Sequence, residues 1–372
     1  MEGITKHQLF SILLLFMIGS TTIFALGINA GRDAWLAMLM AAAAGLALIW
    51  IYTELQKDFP ERNLVEIIFE LLGRPLGIPL AFLYALGFLY TSTFNHREFG
   101  ELVAMSFLHS TPVAVLLTVF IFTVFYVLFL GFKVFARTGE IAMPVVIVFL
   151  VSIYLFIIFS GRVKFSELQP ILGNGIVPVV SAAFPDLLGF PYGETVVFLM
   201  YWCYVTPQNE IRRPTFVAVL IATVLIIASL IVMITTLGAG YTANTTIPLL
   251  EVIKLINIGD ILTNLESIGV IIMFIGGFYK MTLFFFGGVL VISTLLGTKN
   301  LKPLIVVLGL CVLFFSIGYE KSYAFHIWAG LGTVPRFIYP ATEIAIPVML
   351  LILSKLKKAV RNAEKRAVKD GV

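Results

Sequence analysis

Apolar runs separated by short polar connections set the rhythm of this chain. Ten of them read as membrane-spanning segments, at residues 8–28, 33–55, 76–108, 113–135, 138–160, 176–205, 216–237, 262–296, 304–317 and 335–356. The criterion is hydropathy together with the length a helix needs to cross a hydrocarbon layer about 30 Å thick. The pattern predicts an all-α polytopic membrane protein of ten transmembrane helices.

The sixth segment contains a stretch that a continuous helix does not favour: Leu188-Gly189-Phe190-Pro191-Tyr192-Gly193-Glu194. Pro191 removes a backbone donor and clashes with the preceding turn, the glycines free φ and ψ, and a carboxylate is costly at membrane depth. Unwound backbone survives there only when it is buried in protein or lines a polar cavity, so the stretch predicts a broken helix beside a binding site. A proline kink without a ligand is the alternative. Five segments earlier, the first span carries Gly19-Ser20-Thr21-Thr22 near its middle. Matched interruptions in the first helix of each half predict an inverted repeat of five plus five helices, residues 1–160 and 176–356, followed by a basic tail at 357–372.

Two broken helices would place complementary ends around one site. The outer half of the first helix would offer the N–H groups of Thr21, Thr22 and Ile23, beside Gly19 and Ser20, to an anion such as a carboxylate. The outer half of the sixth would offer the carbonyls of Leu187, Leu188 and Gly189, beside Phe190, Pro191, Tyr192 and Gly193, to an ammonium group. The predicted ligand is thus a zwitterion, with Glu194 at the N-terminus of the inner half-helix, where the dipole favours a negative charge.

Residues 63–73 alternate apolar positions with Glu66 and Glu70, which predicts a short helix lying in the membrane interface. Residues 249–258 have a similar alternation after a polar turn at 242–246; a lid over a vestibule and an ordinary connecting helix are both compatible with it. The basic tail predicts a solvated helix that attracts anionic lipid headgroups.

Composition narrows the class. The chain is 60% hydrophobic and 12% charged, with mean hydropathy +1.02, whereas soluble domains run near 45–50% apolar and about 25% charged. With the N-terminus inside, about 17 of the Lys and Arg residues fall in inner loops and tail and about 5 in outer ones, so the positive-inside rule puts both termini in the cytoplasm. The first span reads as retained, since no small-residue cleavage pattern follows it. Cys203 and Cys311 have no metal-ligand spacing and no partner pattern. No nucleophile-and-base set, metal cluster or phosphate loop is present, so neither an enzyme, a cofactor nor a nucleic-acid partner is expected.

Ionisable residues at depth default to functional roles. Lys280 lies mid-span in the eighth segment, where a fixed ammonium substitutes for a bound cation; a structural ion pair, with Glu343 as partner, is the alternative. In Asn95-His96-Arg97-Glu98, successive side chains point about 100° apart, so not all can face one cavity. Arg137 and Glu140 open the fifth segment, where an interfacial salt bridge is expected. Lys280, Glu98 and Glu343 are the candidates for ion or proton coupling.

Taken together, Gly189-Phe190-Pro191-Tyr192-Gly193-Glu194, Ala136-Arg137-Thr138-Gly139-Glu140-Ile141 with Pro144, Ser110-Thr111-Pro112, and Tyr339-Pro340 through Glu343 to Pro347 resemble the B-subunit (GerAB-type) spore germination proteins over essentially the whole chain. That resemblance implies the amino acid/polyamine/organocation transporter superfamily and its LeuT-type fold. It implies a subunit of a nutrient germinant receptor in the spore inner membrane, beside A and C subunits, that binds a small nutrient such as an amino acid. A proton-coupled amino acid permease working by alternating access is the competing function, since it needs the same cavity.

Overall fold

The first helix is apolar on every side, and helices of that kind belong in the middle of a protein. In the computed structural model, α1 (Lys6–Thr21) is the central rod, with Leu9 and every residue from Ile12 to Ile18 fully buried. Residues 3–207, 210–256, 265–318 and 338–369 are described, with side chains as far as 363. A Thr5–Gln8 capping box starts α1. Ile4 pairs in parallel with Val205, tying the chain's beginning to the end of the sixth segment. Among the described residues this bridge is the sole β pairing, and everything else regular is helical.

Around α1 stand α2 (Ala34–Asp58), α3 (Leu64–Ser106), α4 (Val113–Leu130), α5 (Phe132–Phe159), a short α6 (Val177–Ala182) and α7 (Arg212–Leu237). Two short helices follow, α8 (Ala239–Asn244) and α9 (Pro248–Lys254), then α10 (Glu266–Leu296), α11 (Lys302–Gly318) and α12 (Ile346–Lys369). Six helical stretches among the described residues are long and apolar enough to cross a membrane: Ile28–Asp58, Leu64–Ser106, Val113–Leu130, Phe132–Phe159, Arg212–Leu237 and Glu266–Leu296. Aromatic and aliphatic side chains such as Phe122, Tyr126, Phe159 and Phe314 lie exposed on the flanks of the bundle. A multi-pass membrane protein has such a surface, because lipid solvates what water would not.

The interfacial helix predicted at 63–73 is the first part of α3. It opens on a reciprocal capping box between Asn63 and Glu66 and ends at Gly73, whose φ of 75° and ψ of 169° separate it from the long membrane helix. Only glycine adopts that conformation readily. Gly73→Ala is expected to cost about 1–3 kcal/mol, read as a lowered thermal unfolding midpoint of the detergent-solubilised chain.

Three boundaries differ from expectation. The turn between α4 and α5 falls at Gly131 (φ 106°), several residues before the polar Arg137-Thr138-Gly139-Glu140 cluster. That cluster lies inside α5, with Gly139 buried, Glu140 half-buried and Arg137 and Thr138 exposed; Gln8 of α1 donates to Glu140, and Thr138 meets the hydroxyl of Tyr279 on α10 at 2.8 Å. The first segment ends as a helix at Thr21, and no second helical half continues it. Thr21 and Thr22 turn their hydroxyls back to the carbonyls of Met17 and Ile18, within their own helix, and the chain then runs through turns to a 3₁₀ turn at Ile28–Asp33. In the sixth segment, regular helix stops at Ala182. Phe184 (φ −132°, ψ 130°) and Phe190 (φ −113°, ψ 112°) are extended, and each precedes a proline, whose ring excludes the helical region for its neighbour.

At one end of the bundle, side-chain charges lace three helices together. Glu54 of α2 accepts from Arg212 of α7 at 2.6 Å and from Lys355 of α12 at 2.8 Å. Asp58 takes Lys358 and the hydroxyl of Ser354. The tail predicted to be helical is so through Lys369. The start of the eighth span at 262–264, the residues 257–258 of the connecting helix, Lys321, and the start of the tenth span at 335–337 lie outside the described residues.

Candidate functional site

Small residues let two helix backbones meet, and α1 crosses α10 where Gly19 faces Gly276. A Cβ built on Gly276 would lie 2.1 Å from Gly19 Cα. One turn further along α10, Lys280 therefore reaches the end of α1. Its ammonium donates to Ser20 Oγ at 3.2 Å and pairs with Glu194 Oε2 at 2.6 Å. It also sits 4.0 Å from the centroid of Phe190 and 5.6 Å from that of Phe16. Lys280 is 1% exposed and Glu194 4%. The pair thus joins α1, the broken sixth segment and α10 at membrane depth. Of the two expected readings of Lys280 the geometry contains an ion pair, but its partner is Glu194 and not Glu343.

Beside this pair opens a cavity of about 490 Å³, within the range usual for small-molecule sites. The residues predicted for the site divide in two. Ser20, Phe190, Glu194, Glu98 and Lys280 line the cavity. Gly19, Thr21, Thr22, Ile23, Leu188, Gly189, Pro191, Tyr192, Gly193 and Glu343 stand outside its lining, and for most of them another task is visible. Gly19 makes the helix crossing. Thr21 and Thr22 close α1, so the N–H cradle expected at Thr21, Thr22 and Ile23 is replaced by the carbonyl end of a helix. The Ile23 carbonyl accepts the N–H of Leu249. The carbonyls of Leu188 and Gly189, expected to face a ligand, both accept the N–H of Gly193. Tyr192 spans to α7, its hydroxyl 2.8 Å from Thr223 Oγ1. Glu194 does open the following 3₁₀ piece, Gly193–Met200, as the sequence suggests.

Glu343 lies behind the sixth segment, against Gly193 and Gly189. It belongs to a wide-turned stretch, Pro340–Ala345, that leads into α12. The Tyr52 hydroxyl donates to the main-chain carbonyls of Gly193 and Glu343, and that of Tyr84 to the carbonyl of Thr342 at 2.6 Å. These bonds hold the tenth segment against the break.

In the polar run of α3, side chains do diverge as the helical geometry requires. His96 places its ring nitrogens 3.0 Å from Ser316 Oγ and from the Leu117 carbonyl. Arg97 pairs with Glu101 and donates to the Ser316 carbonyl. Glu98, with Asn95, turns to the cavity.

Leu187, whose carbonyl was expected at the ligand, lines the cavity, and several lining residues escaped the sequence reading: Phe24 and the turn that follows it, Thr91, Phe94, Asp186 and Tyr339. Pro185 was the available signal for Asp186, because a second proline six residues before Pro191 lengthens the break. The polar run 242–246 and Pro248 also line the cavity, which fits a cover better than a plain connection. The charged side chains of the lining are three carboxylates, Glu98, Asp186 and Glu194, and one ammonium, Lys280.

Comparison with known proteins finds relatives along nearly the whole chain. The family model described as spore germination protein matches residues 3–324. Spore germination protein KB of Bacillus subtilis is 30% identical over 97% of this chain and 97% of its own length. Spore germination protein YndE of the same organism is 22% identical over 88% of each chain, and spore germination protein XB of Bacillus anthracis 23% over 87% of this chain and 93% of its own. Among solved structures, a mutant of the Eremococcus coleocola manganese transporter superposes with a TM-score of 0.60 over 94% of this chain and 76% of its own, at 13% identity. That last likeness is one of fold.

Proposed function

Because this chain belongs to the spore germination protein family, we propose that it is the transporter-like membrane subunit of a nutrient germinant receptor, and that its cavity binds a small nutrient, an amino acid foremost. The carrying observation is the cavity of about 490 Å³ walled by the end of α1, the broken sixth segment and α10, with the Lys280–Glu194 pair in its lining. An amino acid is small enough to be enclosed there. Its ammonium group finds carboxylates, and its carboxylate finds in Lys280 an ammonium it can share with Glu194. A ligand with different affinity for two arrangements of these elements shifts the population between them, which is all that signalling requires.

The rest of the reading follows from the family and the pattern of the chain. Ten membrane segments form two halves, 1–160 and 176–356, as a LeuT-type repeat, with both termini and the 357–372 tail in the cytoplasm. The membrane is the inner membrane of the spore, and A and C subunits are the partners. Lys280 and Glu98 are the residues through which cavity occupancy reaches the charge balance of the bundle.

A second reading, a proton-coupled amino acid permease, is favoured by the shared fold with a transporter and by ionisable groups in the cavity wall. Two measurements separate them. Ala25→Phe fills the lining with a side chain and removes no polar contact; it is expected to raise the nutrient concentration needed for germination by roughly tenfold or more, about 1.4 kcal/mol. An unchanged response would place the nutrient elsewhere. Radiolabelled amino acid uptake into proteoliposomes containing this chain alone is expected to show no accumulation; saturable uptake driven by a pH gradient would make it a permease.

A further inference from the structure

One buried carboxylate oxygen at the centre of the bundle has no evident partner. Oε2 of Glu343 is enclosed and accepts no hydrogen bond from the described residues, and the residue as a whole is 4% exposed. Its enclosure is tight: a Cβ built on Gly193 would lie 2.2 Å from this oxygen, and one on Gly189 3.4 Å. Glu343 also does not line the cavity.

Among the described residues, the charges that act on Glu343 are the Glu194 carboxylate of the sixth segment and the Lys280 ammonium of α10. Three phenols also face it, Tyr52 from α2, Tyr84 from α3 and Tyr339 from its own stretch. Their hydroxyls are engaged elsewhere: Tyr52 and Tyr84 on main-chain carbonyls, Tyr339 at 3.4 Å from Thr91 Oγ1. Two carboxylates thus share one ammonium, and that ammonium is committed to Glu194 at 2.6 Å and to Ser20 at 3.2 Å. A second bare carboxylate at this depth is a heavily penalised state. A metal ion needs several ligating side chains, and no group of three His, Cys, Asp or Glu that could hold one occurs among the described residues. The cation that fits an enclosed oxygen without further ligands is a hydrogen ion.

We propose that Glu343 is a proton-binding site: its carboxyl group holds one proton in this conformation, and the position of Lys280 decides which of the two carboxylates holds it. When the ammonium moves from Glu194 to Glu343, the O–H bond at Glu343 breaks, the proton passes to Glu194, and the net charge of the cluster stays the same. The site goes beyond ligand binding and holds for a receptor and a permease alike.

Infrared spectroscopy of the full chain in lipid nanodiscs at neutral pH tests it through the carbonyl band of a protonated carboxylic acid. The wild type is expected to show that band, Glu343→Gln to lose its Glu343 component, and Glu343→Asp, which draws the carboxyl away from Gly193, to shift it. Lys280→Met is expected to add a second acid component, from Glu194. Glu343→Gln preserves the shape of the protonated acid; should it fail to fold, the aspartate variant decides alone. A wild-type spectrum without the band, or a band unchanged in either folded Glu343 variant, overturns the proposal.

Discussion

Gly276→Ala is expected to separate α1 from α10 and to cost the chain about 3 kcal/mol, the upper part of the usual range for overpacking. The added methyl would lie 2.1 Å from Gly19 Cα and 2.9 Å from the Gly19 carbonyl atoms. Backbone cannot rotate out of the way as a side chain can. The same clash arises from the other side, where a Cβ on Gly19 would lie 2.4 Å from the Gly276 carbonyl carbon. Because Ser20 and Lys280 are the next polar positions on these two helices, separation also lengthens the Lys280–Ser20 bond. The expected result is a lowered unfolding midpoint together with impaired nutrient response. A variant with wild-type midpoint would mean that the two backbones do not meet at Gly19.

Lys280→Met is the second large effect. It leaves Glu194 buried without its counter-ion, and breaking a buried pair in this way costs about 3–5 kcal/mol. Replacing both partners removes the orphaned carboxyl group and the cost of neutralising it, so Lys280→Met combined with Glu194→Gln is expected to recover most of the loss. With Glu194→Gln alone as the remaining corner, the mutant cycle isolates the pair from the packing of the side chains. Equal destabilisation of single and double variants would reduce Lys280 to a space-filling role.

These two sites also show what the amino-acid order discloses and what it withholds. The break at Gly189–Pro191 was legible because proline and glycine act through the backbone they belong to. Its extent was not read fully, since Pro185 carries the same message and places a second extended residue at Phe184. Gly19 to Thr22 marked the right place in the first segment, but serine and threonine serve their own helix as readily as a ligand. Here Thr21 and Thr22 bond back to it, while Ser20 alone meets Lys280. The choice of Glu194 over Glu343 as the partner of Lys280 depends on distances across three elements, which no local pattern encodes. The α4–α5 boundary was misplaced for a related reason: polar residues at 137–140 suggest a connection between helices, whereas the turn is made at Gly131 and the polar run stays helical, held by contacts to Gln8 and Tyr279.

The last helix gives this cluster a long arm. α12 runs unbroken for 24 residues from Ile346, about 36 Å at the helical rise, and Glu343 lies three residues before its root. Near Lys355 and Lys358 it rests on Glu54 and Asp58, which act as a fulcrum. A tilt of about 10° about that fulcrum would sweep Lys369, about 17 Å beyond Lys358, through about 3 Å if the rod stays rigid. On the proposed protonation of Glu343, the arrival or departure of a single hydrogen ion deep in the bundle would have this lever through which to act at the distant tip of the chain.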